Sequence, residues 1–225
     1  MGEVGVVPSK AYGKFQKNLE TVQRLNETYK TAKENRGSKG RGAFDHITRS
    51  AIVFLVSAFE VYCEDVLCES VEISIKHAKD ACNLPHAVKK NINAYVRNEN
   101  NHVPPMDLCD EGWRKIYKKI ARTHADYLNS PNTKNLKEIF EKHLGIAPGL
   151  LDSVKYIDQL DSIIEFRGEI VHQVKAATYV HIEDVKQDIQ VINEIVIGID
   201  TLIREHIKNT YKVKVPWNDT YIHIG

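Results

Sequence analysis

The stretch from about residue 182 to 210 constrains the fold most. Val185, Ile189, Ile192, Val196, Ile199 and Ile203 recur in alternating steps of four and three. That spacing puts one apolar seam along a helix, the pattern of a bundle or a coiled coil. The same period recurs upstream. Tyr12, Phe15, Leu19, Val22, Leu25 and Tyr29 predict a helix over about 9–34. Ile47, Ala51, Phe54, Ala58, Tyr62 and Val66 predict one over about 44–79, and its "IVFLV" run is apolar nearly all round. A helix apolar on most faces belongs at the centre of a bundle.

Shorter segments complete the set. A helix is expected over about 85–97. It is followed by the loop "NENNHVPPMDL", where Pro104 and Pro105 cannot continue it. The next is expected over about 110–128, with Asp110 as its N-cap. "SPNTKNLKEIFEKHLGI" reads as a turn, a capped short helix and a stop at Gly145. A further helix is expected over about 149–173, before the seam helix. The tail "KVKVPWNDTYIHIG" alternates over short runs around Pro216 and Asn218-Asp219, so a small C-terminal hairpin is expected. The fold class is all-α: an antiparallel bundle of five to six helices. The expected organisation is an N-terminal helix and basic glycine-rich loop over 1–40, a bundle over 41–210 and a tail over 211–225. There is no internal repeat.

Composition narrows the function. The formal net charge is +1 over 225 residues, so no global field pulls the chain onto nucleic acid or membrane. A nucleic-acid contact must come from a local patch. Cys63, Cys68, Cys82 and Cys109 form no CxxC pair, and the start of the chain lacks a secretory pattern. They read as free thiols in a reducing cytosol, giving a cytoplasmic location. No apolar run reaches the ~18 residues of a membrane span. "GSKGRG" lacks the order of a phosphate-binding loop, and there is no GxSxG elbow or HExxH pair. Cofactor and metal chemistry therefore have no support, and none is expected.

The chemistry-bearing candidate lies in "LDSIIEFRGEIVHQV". Leu160, Ile163, Ile164, Val171 and Val174 make one stripe, and Arg167 falls on it. A charged residue on a burying face is unusual unless it is paired or lines a cleft or interface. His172 lies about 140° further round. The Arg-x4-His spacing occurs three times in the chain, at 41–46, 97–102 and 167–172. Spacing alone therefore selects nothing, and only the third lies inside an apolar helix. From the residues alone two readings stay open. Arg167 is a structural arginine paired with Glu60 or Glu165, with His172 favoured by the helix dipole, or the two line a functional cleft.

"EFRGEIVH" resembles the Arg-x4–6-His motif of HEPN-domain ribonucleases. "RSAIVFLVSAFEVYCEDVL" (49–67) and "SPNTKNLKEIFEKHLGI" (130–146) resemble, in order and separation, the branch known as RiboL-PSP-HEPN. The resemblance covers about residues 45–205. It implies a homodimer whose two motif helices face one composite cleft. It implies metal-independent endoribonuclease chemistry, in which a 2′-hydroxyl attacks the adjacent phosphate and leaves a 2′,3′-cyclic end. On that resemblance His172 moves protons and Arg167 holds the scissile phosphate. The implied setting is prokaryotic defence or toxin–antitoxin function, with an antitoxin or sensor protein as a further partner. One departure stands out: family members often carry a polar residue directly after the arginine, and here it is Gly168. Some HEPN domains are catalytically silent dimerisation or docking modules, which is the alternative reading.

Lesser candidates follow. Glu60 is a lone acid in an apolar helix and reads as a structural partner for a buried base, with Arg167 as the candidate. Lys115, Lys118, Lys119 and Arg122 share one helix face and are candidate RNA-backbone contacts, or a solvated face. The "NRGSKGR" loop is a further phosphate-contact candidate, or an ordinary flexible connection.

Overall fold

The computed structural model describes residues 8–36, 44–172, 179–214, 217 and 220–224. Among them are seven α-helices and no strand: α1 (Lys10–Arg36), α2 (Asp45–His77), α3 (His86–Arg97), α4 (Gly112–Asp126), α5 (Thr133–Leu144), α6 (Ile157–His172) and α7 (Ile182–Tyr211). The all-α class holds, with seven helices rather than five to six. The basic loop at 37–43 and the expected turn at Asn218-Asp219 lie outside the described residues. The described tail residues form no strand.

The nearly all-round apolar character of α2 has its expected result. This helix packs against α1, α4, α5, α6 and α7, and fourteen of its residues are buried, from Thr48 to Ser74. The α7 seam faces the same interior: Val185, Ile192, Val196, Ile199 and Ile203 are each 0% exposed. The seam is closed within one chain. The α1 stripe of Tyr12, Phe15, Leu19 and Val22 joins that core.

Polar ties fix the ends. Ser9 precedes α1, and its hydroxyl donates to the Asp200 carboxylate on α7. Its backbone N–H donates there too, at 3.4 Å. The Tyr62 hydroxyl of α2 reaches Asp200 at 3.3 Å, and that of Tyr221 in the tail at 2.9 Å. One buried carboxylate thus joins two helices, the α1 entry and the tail. The Ile222 N–H donates to the Tyr12 hydroxyl at 2.7 Å, which straps the tail down further.

Three local expectations are corrected. The helix carrying Arg167 starts at Ile157 rather than about 149. Pro148–Ser153 form a 3-10 segment that ends at Val154, and Tyr156 at φ +64 makes a left-handed turn immediately before α6. Asp110 is not an N-cap: it has φ +49, and α4 starts after Glu111 with no side-chain cap. Phe54 and Val171, both placed on burying stripes, are 50% and 47% exposed. By contrast α5 is bounded as expected. The Asn132 side chain accepts from Asn135 N–H at the N-cap, and Gly145 at φ +75 closes the C-terminus. No described helix is long and apolar enough to cross a membrane, and all four cysteines are free.

Candidate functional site

Two anchors position α6. The Asp161 carboxylate accepts the Thr133 N–H at 2.7 Å, which docks its first half on the start of α5. Further along, Arg167 Nη2 donates to Glu60 Oε2 of α2 at 3.2 Å. Beyond the helix, the Val180 N–H meets the Asp45 carboxylate at 3.1 Å. So α6 runs back along α2 towards its N-terminal end.

The Arg167–Glu60 pair is half-buried, with side chains 26% and 14% exposed. Burial pushes the Glu60 carboxyl upward, while Arg167 opposes that and Glu64 adds to it. Neither partner is saturated: Arg167 Nε and Glu60 Oε1 are buried without a hydrogen-bond partner. Among the described residues the guanidinium makes one hydrogen bond, and its side chain stays partly open to solvent. Of the two open pairings, Glu60 is the one made; Glu165 is exposed.

His172 is exposed on the last turn of α6. Helix geometry puts it roughly 7.5 Å along the axis from Arg167 and on a different flank. Gly168 between them has open space: a Cβ there meets nothing within 4 Å. Gly168→Ala is therefore expected to fold normally and raise unfolding free energy by about 0.5–1 kcal/mol in a urea titration. A destabilised variant would mean a close approach at Gly168 that this geometry lacks.

Phe54 lies on the N-terminal side of Glu60, and Val171 lies beyond Arg167. On two antiparallel helices both fall at the end where His172 sits. The structure thus brings together Arg167, Glu60 and an open Gly168, with His172 and two exposed apolar side chains at the same end.

The basic face of α4 does not stay whole. Lys118 pairs with Glu72 of α2, and Arg122 with Asp126 at 2.9 Å. Lys115 and Lys119 line a cavity of about 620 Å³ whose wall also carries Asp107, Asp110 and Glu111.

Sequence reasoning missed a histidine pair. His124 Nδ1 of α4 and His143 Nε2 of α5 are 2.7 Å apart, with ring planes at 80°. His143 is fully buried, and its Nδ1 has no partner. Burial, then the neighbouring His124 and Lys142, pushes His143 down to about 3. Burial and Lys142 lower His124 as well. A histidine depressed in the folded state contributes its full stability above the unfolded value of about 6.5, and loses it as the pH falls below that. The stability gap between the wild type and His143→Gln is expected to shrink by about 1–2 kcal/mol from pH 7 to pH 5. Urea titrations at the two pH values check this, and a pH-independent gap would contradict it.

The model of the RiboL-PSP-HEPN family matches residues 16–205, which takes in most of α1 as well as α2 to α6 and the bulk of α7. No curated protein and no solved structure matches the chain. An all-α bundle centred on α2, with the Arg-x4-His helix packed along it and a family match over most of its length, places this chain in the RiboL-PSP-HEPN family of HEPN domains.

Proposed function

We propose that the protein is a metal-independent endoribonuclease that works as a homodimer, with two copies of α6 facing one cleft. The observation that carries this reading is Arg167, a cation on the packing side of α6 hydrogen-bonded to Glu60 and partly open to solvent. In the cleft its guanidinium would bind the scissile phosphate and offset charge growing on the non-bridging oxygens. His172, exposed one helical turn and a half further on, would take the proton from the 2′-hydroxyl or give one to the leaving 5′-oxygen. The exposed Phe54 and Val171 support a second copy at this end of the molecule. The setting that fits such an enzyme is prokaryotic defence or toxin–antitoxin function, under the control of an antitoxin or sensor protein.

The Glu60 contact also favours a second reading. An arginine already paired inside its own bundle, followed by glycine rather than a polar residue, suits a catalytically silent module that dimerises or docks a partner. Cleavage of RNA by the purified protein, and its loss in Arg167→Ala and His172→Ala, separates the two. A dimer that never cleaves belongs to the second.

A further inference from the structure

A chain of net charge +1 can hold a polyanion only on a local patch, and the α4 face is half-neutralised by Glu72 and Asp126. A row of uncompensated cations lies on α3. His86, Lys89, Lys90, Asn93 and Arg97 recur at helical steps and share one open face of the helix. None of the 12 residues of α3 is acidic. The nearest carboxylates along the chain are Asp80, whose side chain caps the turn before the helix, and Glu99 beyond its end. Lys89 donates one hydrogen bond, to the Cys82 carbonyl at 3.2 Å. No ion pair is made by Lys89, Lys90 or Arg97 among the described residues. On the opposite face Val88 and Ile92 are buried, and α3 packs against α4 and α5. The cation row is therefore carried on a fixed element. From His86 to Arg97 it runs about 16 Å at 1.5 Å per residue.

We infer that the outer face of α3 is a docking track for the sugar–phosphate backbone of single-stranded RNA. The choice of RNA rests on the nuclease reading above; the charge pattern does not. A row of cations grips phosphates irrespective of sequence. A membrane is a poorer fit, because no large apolar side chain shares this face to enter a lipid surface. The cavity beside Lys115 is a poorer fit for a polyanion, since Asp107, Asp110 and Glu111 share its wall. The track is also separate from the candidate cleft. Arg167 meets α2 at Glu60, whereas α4, on which α3 packs, is tied to the far end of α2 by Arg114 donating to the Ile75 carbonyl. Glu60 and Ile75 are about 22 Å apart along that helix. A strand held on α3 would be gripped well away from the cut.

The test is fluorescence anisotropy with a labelled single strand of about 20 nucleotides, in EDTA, from about 50 to 200 mM NaCl. The full chain carries His172→Ala throughout, so that no cleavage intrudes. Adding Lys89→Gln, Lys90→Gln and Arg97→Gln together is expected to weaken binding at least about tenfold at low salt. The slope of log affinity against log salt should become shallower by about 2, from three phosphate contacts at ~0.7 each. All three side chains are on the solvent side, and circular dichroism confirms that the helices stay intact. The pair Lys118→Gln and Arg122→Gln should leave both quantities unchanged. An unchanged slope in the triple variant overturns the inference. So does failure of the starting protein to bind RNA, or equal competition by a polyglutamate of matched charge. If the triple variant loses binding while the wild type cuts nothing, the track stands and the nuclease reading falls. If the wild type cuts RNA and the triple variant binds it normally, the reverse holds.

Discussion

Arg167→Ala is expected to lower RNA cleavage by about 10²- to 10³-fold, the usual cost of removing one donor aimed at developing charge. The fold should survive. The pair with Glu60 is only half-buried, and alanine has a higher helix propensity than arginine. Glu60 then loses the charge that opposes its burial, so its carboxyl rises further and accepts a proton more readily. Arg167→Lys separates charge from shape. Lysine keeps the cation but not the planar fork, so it should recover a minor part of the lost rate if phosphate is held through two donors. His172→Ala should cost about 10²- to 10⁴-fold through lost proton transfer. Initial rates on a labelled RNA, at equal dimer concentration, check all three. Variants within threefold of the wild type would remove the motif from the mechanism.

The largest expected effect on stability lies far from the motif. Asp200→Ala should destabilise the protein by about 3–5 kcal/mol. Asp200 is 0% exposed, and burial pushes its carboxyl upward against the donors that favour its charged form. Those donors are the Ser9 hydroxyl and N–H and the Tyr221 hydroxyl, with Tyr62 close behind. Removing the carboxylate strands them in the core together and frees both the α1 entry and the tail. Asp200→Asn should cost less, because an amide oxygen still accepts while the buried charge is gone. Urea titration of the three proteins tests the order. Equal stability of Asp200→Ala and the wild type would mean that the network is incidental to the fold.

Periodicity made the interior readable. The α7 seam and the α2 centre were legible because burial on one face leaves a regular trace in the sequence. Gly145 was legible because a left-handed C-cap selects glycine. Phe54 and Val171 show where that reasoning stops. A spacing says which side chains share a face, and not whether that face meets the same chain or remains open. The start of α6 was misplaced because 3-10 turns carry the same local residue types as a first helical turn. At the site, the helix, the arginine and its candidate partner Glu60 were all in view, 107 positions apart. Choosing Glu60 over Glu165 needed the packing of α6 on α2. The contact between His124 and His143 leaves no local spacing signature, since it depends on how α4 meets α5. The row on α3 did leave one, at 86, 89, 90, 93 and 97, but its meaning depends on which cations elsewhere are already paired.

The central claim is that two side chains on α6 cut RNA without a metal. The most direct measurement incubates the purified wild type, Arg167→Ala and His172→Ala with total bacterial RNA in EDTA and identifies the new ends. The account predicts cleavage by the wild type that survives the chelator, leaves 2′,3′-cyclic phosphate ends and disappears in both variants. Cleavage that EDTA abolishes, or that persists unchanged in Arg167→Ala and His172→Ala, would contradict it.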